Sequence, residues 1–451
     1  MLSRWFGLFR RRVFSLLALM PSLFWIANGY AVMDIEINEG RAKRLEIIVE
    51  EFQGQYDYPD RYKQYLAEII RSDLKNSGEF YLVASNDREH ITEDMLRLKG
   101  KIISKGEDKI EVTYRLSTQK LDQKIATLRL KAKKRSNKSK IKIPKPLIRA
   151  ALRADPGELR ALAHQISGHV YQHLTGQPAV FNTKIAYILV KGKGKQQRFS
   201  IQISDYDGFD IQTLLTSRFP VMSLSWSPDG KQLAYVSFEG NRSAIYVQEL
   251  STGKRKIVSK LPGINGAPAW SPDGKKLALV LTSSGYPKIH QLDLATRQLT
   301  QLTFGQDGLD TEPAWSHDGK KLVFTSDRSG SPQIHCLDLN TNMVKLVTRE
   351  GGYNVRASFK PDQRDQIVFL HREAGMFTVA TQRLDDAKPQ IIALIGENGE
   401  TPALSPNGQM VILVRNQHGT GHLAIVAIDG RQRMVLPGIH GEIRDTAWSG
   451  W

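Results

Sequence analysis

The phrase Ser225-Trp226-Ser227-Pro228-Asp229-Gly230-Lys231 returns as Ala269-Trp270-Ser271-Pro272-Asp273-Gly274-Lys275 and again as Ala314-Trp315-Ser316-His317-Asp318-Gly319-Lys320. Weaker copies follow at Ser358-Phe359-Lys360-Pro361-Asp362 and Ala403-Leu404-Ser405-Pro406-Asn407-Gly408, and Ala447-Trp448-Ser449-Gly450 stands near the chain end. The anchors 226, 270, 315, 359, 404 and 448 lie 44 or 45 residues apart, a period that means a stacked structural repeat. Within a period the pattern is β, with short alternating runs such as 244–250 and 256–258, and four strands per unit result. Ser-Pro-Asp-Gly suits a type I turn in which Pro pre-sets the second position and Gly supplies a left-handed residue, so it joins the first two strands. The aromatic before it is expected to fill the gap between neighbouring sheets.

Four-stranded units of this length stack radially as propeller blades. Residues 184–190 and 198–204 already read as second and third strands of a blade with no first strand, whereas 444–449 reads as a first strand with no followers. Together they complete one composite blade that locks a ring of six. The predicted fold is therefore mainly β, a six-bladed β-propeller over 179–451 preceded by a smaller mixed α/β domain over 32–178. In that domain 34–38, 44–49, 80–83, 100–103, 110–114 and 125–130 read as strands. A first helix is expected between Asp60 and Ser77, with Tyr62, Leu66, Ile69, Ile70 and Leu74 on one face and Gly78 after its last turn. A second is expected over 157–175, with Leu159, Leu162, Ile166, Val170 and Leu174 inward.

Ahead of these domains, Arg4, Arg10, Arg11 and Arg12 precede an apolar run of residues 13–27 and the small-residue sequence Asn28-Gly29-Tyr30-Ala31. That is the layout of a signal peptide over 1–31, its apolar run too short to span hydrocarbon, and the mature protein is expected in the periplasm. The formal charge of +17 falls to +13 once those four arginines are gone, which favours anionic partners or surfaces. No recognition helix or stacking motif accompanies the charge, so nucleic acid is not expected. The block 131–146 holds eight basic residues and no acid, a solvated loop or a contact for an anionic surface. The single cysteine, Cys336, excludes an intramolecular disulfide and sits in an alternating stretch that reads as a packed strand.

Motifs of catalysis are not evident. His169 and His173 are four apart on the second helix, but no His-Glu-x-x-His pattern surrounds them, so they read as flank residues and no metal is expected. No Gly-x-Ser-x-Gly elbow occurs, and Gly192-Lys193-Gly194-Lys195 lacks the rest of a phosphate loop and fits a hairpin turn. No cofactor is expected. Alternatives to an interaction protein are a propeller-type envelope hydrolase, which needs converging carboxylates or histidines, and a carbohydrate-binding propeller, which needs exposed loop aromatics.

Beyond the repeat, the phrases Asp73-Leu74-Lys75-Asn76-Ser77-Gly78-Glu79-Phe80, Leu174-Thr175-Gly176, Thr183-Lys184-Ile185-Ala186-Tyr187, Ile203-Ser204-Asp205-Tyr206-Asp207-Gly208 and Asn265-Gly266-Ala267-Pro268 make the chain similar to the TolB family, periplasmic propellers of the Tol-Pal cell-envelope system. The resemblance covers nearly the whole mature chain and implies a non-enzymatic, monomeric adaptor that supports outer-membrane integrity and constriction during cell division. It implies binding of the lipoprotein Pal at Asn265, Gly266, Ala267, Thr311, Glu312, Tyr353, Asn354, Glu400 and Thr401, expected on loops entering each signature strand. It also implies communication with TolA through the N-terminal strand Val32, Met33, Asp34, Ile35, Glu36 and Ile37, which is expected to switch between a packed and a released state. Other outer-membrane or peptidoglycan-associated proteins are further expected partners. The lysine content of 131–146 and the two histidines at 169 and 173 depart from the family pattern.

Overall fold

The computed structural model describes residues 44–450 apart from 55–59, 88, 105–108, 135–143, 284, 306–307, 362–364, 397–401, 418–419, 430–432 and 437–438. The expected signal peptide and the strand 34–38 lie outside these residues. Five antiparallel units begin with inner strands at Val221–Trp226, Asn265–Trp270, Asp310–Trp315, Tyr353–Phe359 and Ala403–Leu404, and we number them blades 1 to 5; the first four have four strands, and the fifth adds the short strand Ile439–His440 to its four. Blade 6 is the composite one: Glu442–Trp448 pairs antiparallel with Lys184–Lys191, which continues into Arg198–Asp205 and Gln212–Ser217. The ring is six-bladed and closed by strands from its two ends.

The turn chemistry follows the sequence. In blades 1, 2, 3 and 5 the glycine of the turn (Gly230, Gly274, Gly319, Gly408) has φ between 66° and 69°, and its N–H donates to the carbonyl of the serine three residues back at 2.9 Å. The serine Oγ bonds the Asp or Asn two residues on, at 2.6 to 2.7 Å, so the side chains hold the same loop twice. Trp226 and Trp315 bridge blades, and Trp448 ties the closing strand to the residue that precedes Lys184–Lys191 of its own blade. Trp226 Nε1 donates to Ala447 O at 3.2 Å, Trp315 Nε1 to Ala269 O at 3.1 Å, and Trp448 Nε1 to Thr183 Oγ1 at 2.7 Å. Cys336 is a buried strand residue whose thiol is pushed up to about 11 by desolvation.

The preceding region folds as one mixed sheet with three helices. Its strands are β1 (Leu45–Val49), β2 (Gln53–Gly54), β3 (Phe80–Leu82), β4 (Leu96–Ser104), β5 (Ile110–Thr118) and β6 (Ile148–Ala154), ordered β3-β1-β4-β5-β6 with β2 beside β4. Helix α1 (Asp60–Asn76) buries Leu66, Ile69, Ile70 and Leu74, and α3 (Leu159–Thr175) buries Leu159, Leu162, Ile166 and Val170. Both pack in one core with Ile47, Leu98, Ile102, Val112 and Tyr114 of the sheet. That core continues without a break into Phe181, Tyr187, Leu423 and Leu436 of blades 5 and 6, so domain and ring share apolar packing.

Two local expectations are corrected. Residues 125–130 are not a strand but lie inside α2 (Gln119–Lys134). Over 16 residues rich in Gln, Lys, Leu and Ala the helical period wins. Ile125 is the buried anchor, and Thr118 Oγ1 accepts from Leu121 N–H at 3.2 Å at the helix start. The second correction concerns the expected partner-binding positions. Asn265, Gly266, Ala267, Thr311, Glu312, Tyr353 and Asn354 are not in loops; each stands in the first half of an inner strand.

Candidate partner-binding rim and channel

The inner strands line a central channel of about 400 Å³. Each of five is interrupted by the same irregularity. Ser223, Ala267, Glu312, Arg356 and Asp445, three residues before the anchors Trp226, Trp270, Trp315, Phe359 and Trp448, all have φ between 42° and 58°. The pairing register shifts at each of these points. A left-handed non-glycine residue costs roughly 1–2 kcal/mol, and such strain is retained where the surrounding structure over-determines it, often at ligand clamps. Here the bulge turns backbone amides toward acceptors in the channel wall. Ser223 N–H donates to Asp445 Oδ2 at 2.5 Å and Arg356 N–H to Glu312 Oε2 at 3.2 Å. The Arg356 guanidinium links both carboxylates, Nε to Glu312 Oε1 at 2.8 Å and Nη1 to Asp445 Oδ1 at 3.0 Å.

Strand alternation puts two kinds of loop on each rim. The Ser-Pro-Asp-Gly turns share a rim with the connections from third to fourth strands, and the α/β domain sits there: Asn407 Nδ2 of a turn donates to Pro178 O at 3.1 Å, and Tyr206 and Asp207 of blade 6 meet α1 and α3. The other rim, where inner strands begin, carries exposed Phe219, Ile264, Tyr286, Phe304 and Leu309. Clustered exposed apolar side chains on one rim mark an interaction face.

At this free rim one buried polar position in each of blades 2, 3 and 4 braces the entering loop. Asn265 Oδ1 accepts from Ser259 Oγ at 2.6 Å and from Leu261 N–H at 2.9 Å, and its Nδ2 donates to Leu261 O at 2.7 Å. Asn354 is held in the same manner by Gln333 and by the Glu350 carbonyl, with His371 Nδ1 at 2.7 Å. Blade 3 has Asp310 there, bonded to Arg328 at 2.7 Å and to the buried Lys288 at 3.2 Å. All three are fully buried.

The family model described as TolB beta propeller domain matches residues 171–451, and that described as TolB amino-terminal domain matches 33–94. The Tol-Pal system protein TolB of Coxiella burnetii is 39% identical over 96% of this chain and 97% of its own length; that of Nitrosococcus oceani is 36% identical over 97% and 98%. The chain belongs to the TolB family. The crystal structure of TolB from Acinetobacter baumannii superposes with a TM-score of 0.75 at 33% identity, covering 92% of this chain and 99% of that one.

Of the expected TolB-type partner residues, Ala267 and Glu312 line the channel, and Gly266 and Thr311 are half-buried beside it. Tyr353 stacks edge-on against Phe377 at 6.1 Å. Asn265 and Asn354 brace loops with their side chains. Glu400, Thr401 and the strand Val32, Met33, Asp34, Ile35, Glu36 and Ile37 lie outside the described residues. The sequence missed Arg356 and Asp445, although three residues before each anchoring aromatic was the signal that finds them.

It also missed the polar seam between the α/β domain and the ring. Asp73 of α1 accepts from Tyr206 Oη at 2.7 Å and faces His164 Nδ1 of α3 at 2.8 Å. Burial raises the Asp73 carboxyl above the ordinary range, against those hydrogen bonds. Arg160 donates from Nε to Asp205 at 2.6 Å and from Nη2 to Asp207, while Lys184 Nζ reaches Asp205 at 2.5 Å. Desolvation favours neutral Asp205, but Lys184 and Arg160 outweigh it and hold its carboxyl low. Ligand atoms of Asp73, His164 and Asp207 lie within 4.8 Å of one another. With Arg160 on Asp207 and Tyr206 on Asp73, the arrangement is an ion-pair seam that fastens the domain. His169 and His173 are exposed on α3, and His169 Nδ1 lies 2.5 Å from the Tyr114 hydroxyl.

Proposed function

We propose that this chain is a non-enzymatic periplasmic adaptor of the Tol-Pal system. It binds Pal over the free rim and channel mouth, and meets TolA through the strand that follows cleavage after residue 31. In this role it supports outer-membrane integrity and envelope constriction during division. The observation that carries the reading is the free rim: exposed Phe219, Ile264, Tyr286, Phe304 and Leu309 stand on the rim of blades 1 to 3, and the bulged channel wall presents Ala267, Glu312 and Arg356. A recessed site with an apolar border admits a projecting segment of a protein partner. The two carboxylates that converge in the channel wall, Glu312 and Asp445, are bridged by Arg356 and accept the bulge amides, and other buried acids and histidines are held in the seam and the loop braces.

The test is co-elution of the purified mature protein with Pal and, separately, with a soluble TolA domain, with and without residues 32–41. Pal is expected to co-elute with both forms and TolA only with the longer one. Co-elution of neither partner would refute the adaptor reading.

A further inference from the structure

The face of the sheet turned away from α1 and α3 carries Arg97, Lys99 and Lys101 from β4, Arg115 from β5, and Arg149 and Arg153 from β6. The registers Lys99↔Arg115 and Arg115↔Arg149 place three cations side by side across three strands. Like charges directly opposite one another destabilise a sheet, so folding alone does not select such a row. Compensation is partial. Asp122 stands 3.5 Å from both Lys99 and Arg115, Glu50 reaches Lys99 at 3.1 Å and Arg97 at 3.0 Å, and Glu111 pairs with Arg153 at 2.8 Å. Among the described residues Arg149 has no acidic partner, nor do Lys124 and Arg129 of the flanking α2.

Asp122 fastens the start of α2 to this face, its Oδ1 accepting from Ser117 Oγ at 2.6 Å. From there to Asp155 the sequence holds twelve basic residues, no acid and no aromatic. Leu130 of α2 and Leu147, which directly precedes β6, are exposed at 62% and 44%. Cations beside exposed aliphatic side chains suit a bilayer interface, where the charges meet headgroups and the leucines enter the acyl boundary. A single-stranded nucleic acid would instead use aromatic platforms, and this stretch has none.

We infer that the outer face of β4–β6 together with α2 is a docking surface for a bilayer bearing anionic phospholipid headgroups. The α/β domain occupies the turn rim, so this surface belongs to the domain at the end opposite the free rim. The inference is independent of which protein occupies that rim.

Co-sedimentation of the mature protein with phosphatidylcholine vesicles, and with vesicles containing about one-third phosphatidylglycerol, tests it. Binding is expected only to the anionic vesicles, and it falls as salt rises from about 0.05 to 0.5 M because exposed charges are screened. The triple substitution Lys124→Gln, Arg129→Gln and Arg149→Gln is expected to weaken it roughly 100-fold, each basic residue near such a surface being worth about fivefold. Leu130→Ser with Leu147→Ser weakens it as well, while Pal co-elution stays unchanged in both variants. Equal binding to neutral vesicles, or anionic binding unaffected by the triple substitution, overturns the inference. So does retention on heparin that depends on the three cations without any vesicle binding, since the face would then serve a soluble polyanion.

Discussion

Truncating Trp448 to alanine should open the ring. This indole stands on the strand that closes blade 6, is 8% exposed, and packs in the core that the ring shares with α1 and α3. A buried aromatic removes about 200 Å² from water, worth about 5 kcal/mol at 25 cal/mol per Å². The alanine retains part of that, and loss of the 2.7 Å bond from Nε1 leaves Thr183 Oγ1 short of a donor at a cost of about 1 kcal/mol. The expected destabilisation is about 4–5 kcal/mol, a fall in Tm of roughly 5 °C for a folded unit of this length. Trp270 provides the internal control. It holds the same place in blade 2 but is only partly buried, and its buried Nε1 has no hydrogen-bond partner. Trp270→Ala should therefore cost no more than about half as much. Urea denaturation of both variants measures the difference. Equal losses, or a Trp448→Ala protein within about 1 kcal/mol of the parent, would show that closure does not rest on this strand.

Acid sensitivity should trace partly to the seam. Asp205 is held below its ordinary range by Lys184 and Arg160, so its contribution is present above pH ~4 and lost as pH falls through the depressed folded value. Asp205→Asn should be less stable than the parent at neutral pH and lose less on acidification below that point, as melting temperatures across the acid range will show. Cys336, buried and pushed up to about 11, should stay unreactive toward a disulfide reagent at pH 8 until the chain unfolds; rapid labelling of the native protein would contradict its placement. Mass spectrometry of the exported protein should find residues 1–31 removed, and an intact N-terminus would contradict the signal-peptide reading.

The ring was legible because its turn chemistry is local: Ser, Pro, Asp and Gly each occupy a position that needs that residue type, and the 44–45-residue spacing repeats it. The closing strand followed from counting strands at the two ends. What failed was also physical. Residues 125–130 contain Ile, Thr and Leu in a window too short to separate a strand from one turn and a half of helix, and only the 16 residues of α2 show the period. Strand β6, Ile-Arg-Ala-Ala-Leu-Arg-Ala, was not seen because alanine and arginine favour helix, and its strand identity comes from pairing with β5. The left-handed bulges hold Ser, Ala, Glu, Arg and Asp, so no residue type announces them. The seam joins Asp73, His164 and Asp207, which come together only in the tertiary fold.

The most direct test of the account is the affinity for Pal, by calorimetry, of two sets of variants that fold normally. Ala267→Arg and Thr311→Arg narrow the channel mouth; Arg356 already occupies the bulge position equivalent to 267 in its own blade, so arginine there is compatible with the backbone. Lys275→Glu and Lys320→Glu alter exposed turns on the opposite rim. The account predicts a loss of at least about tenfold for the first pair, or 1.4 kcal/mol, and little change for the second. Parental affinity in Ala267→Arg and Thr311→Arg, with binding abolished by the turn-rim variants, would contradict it.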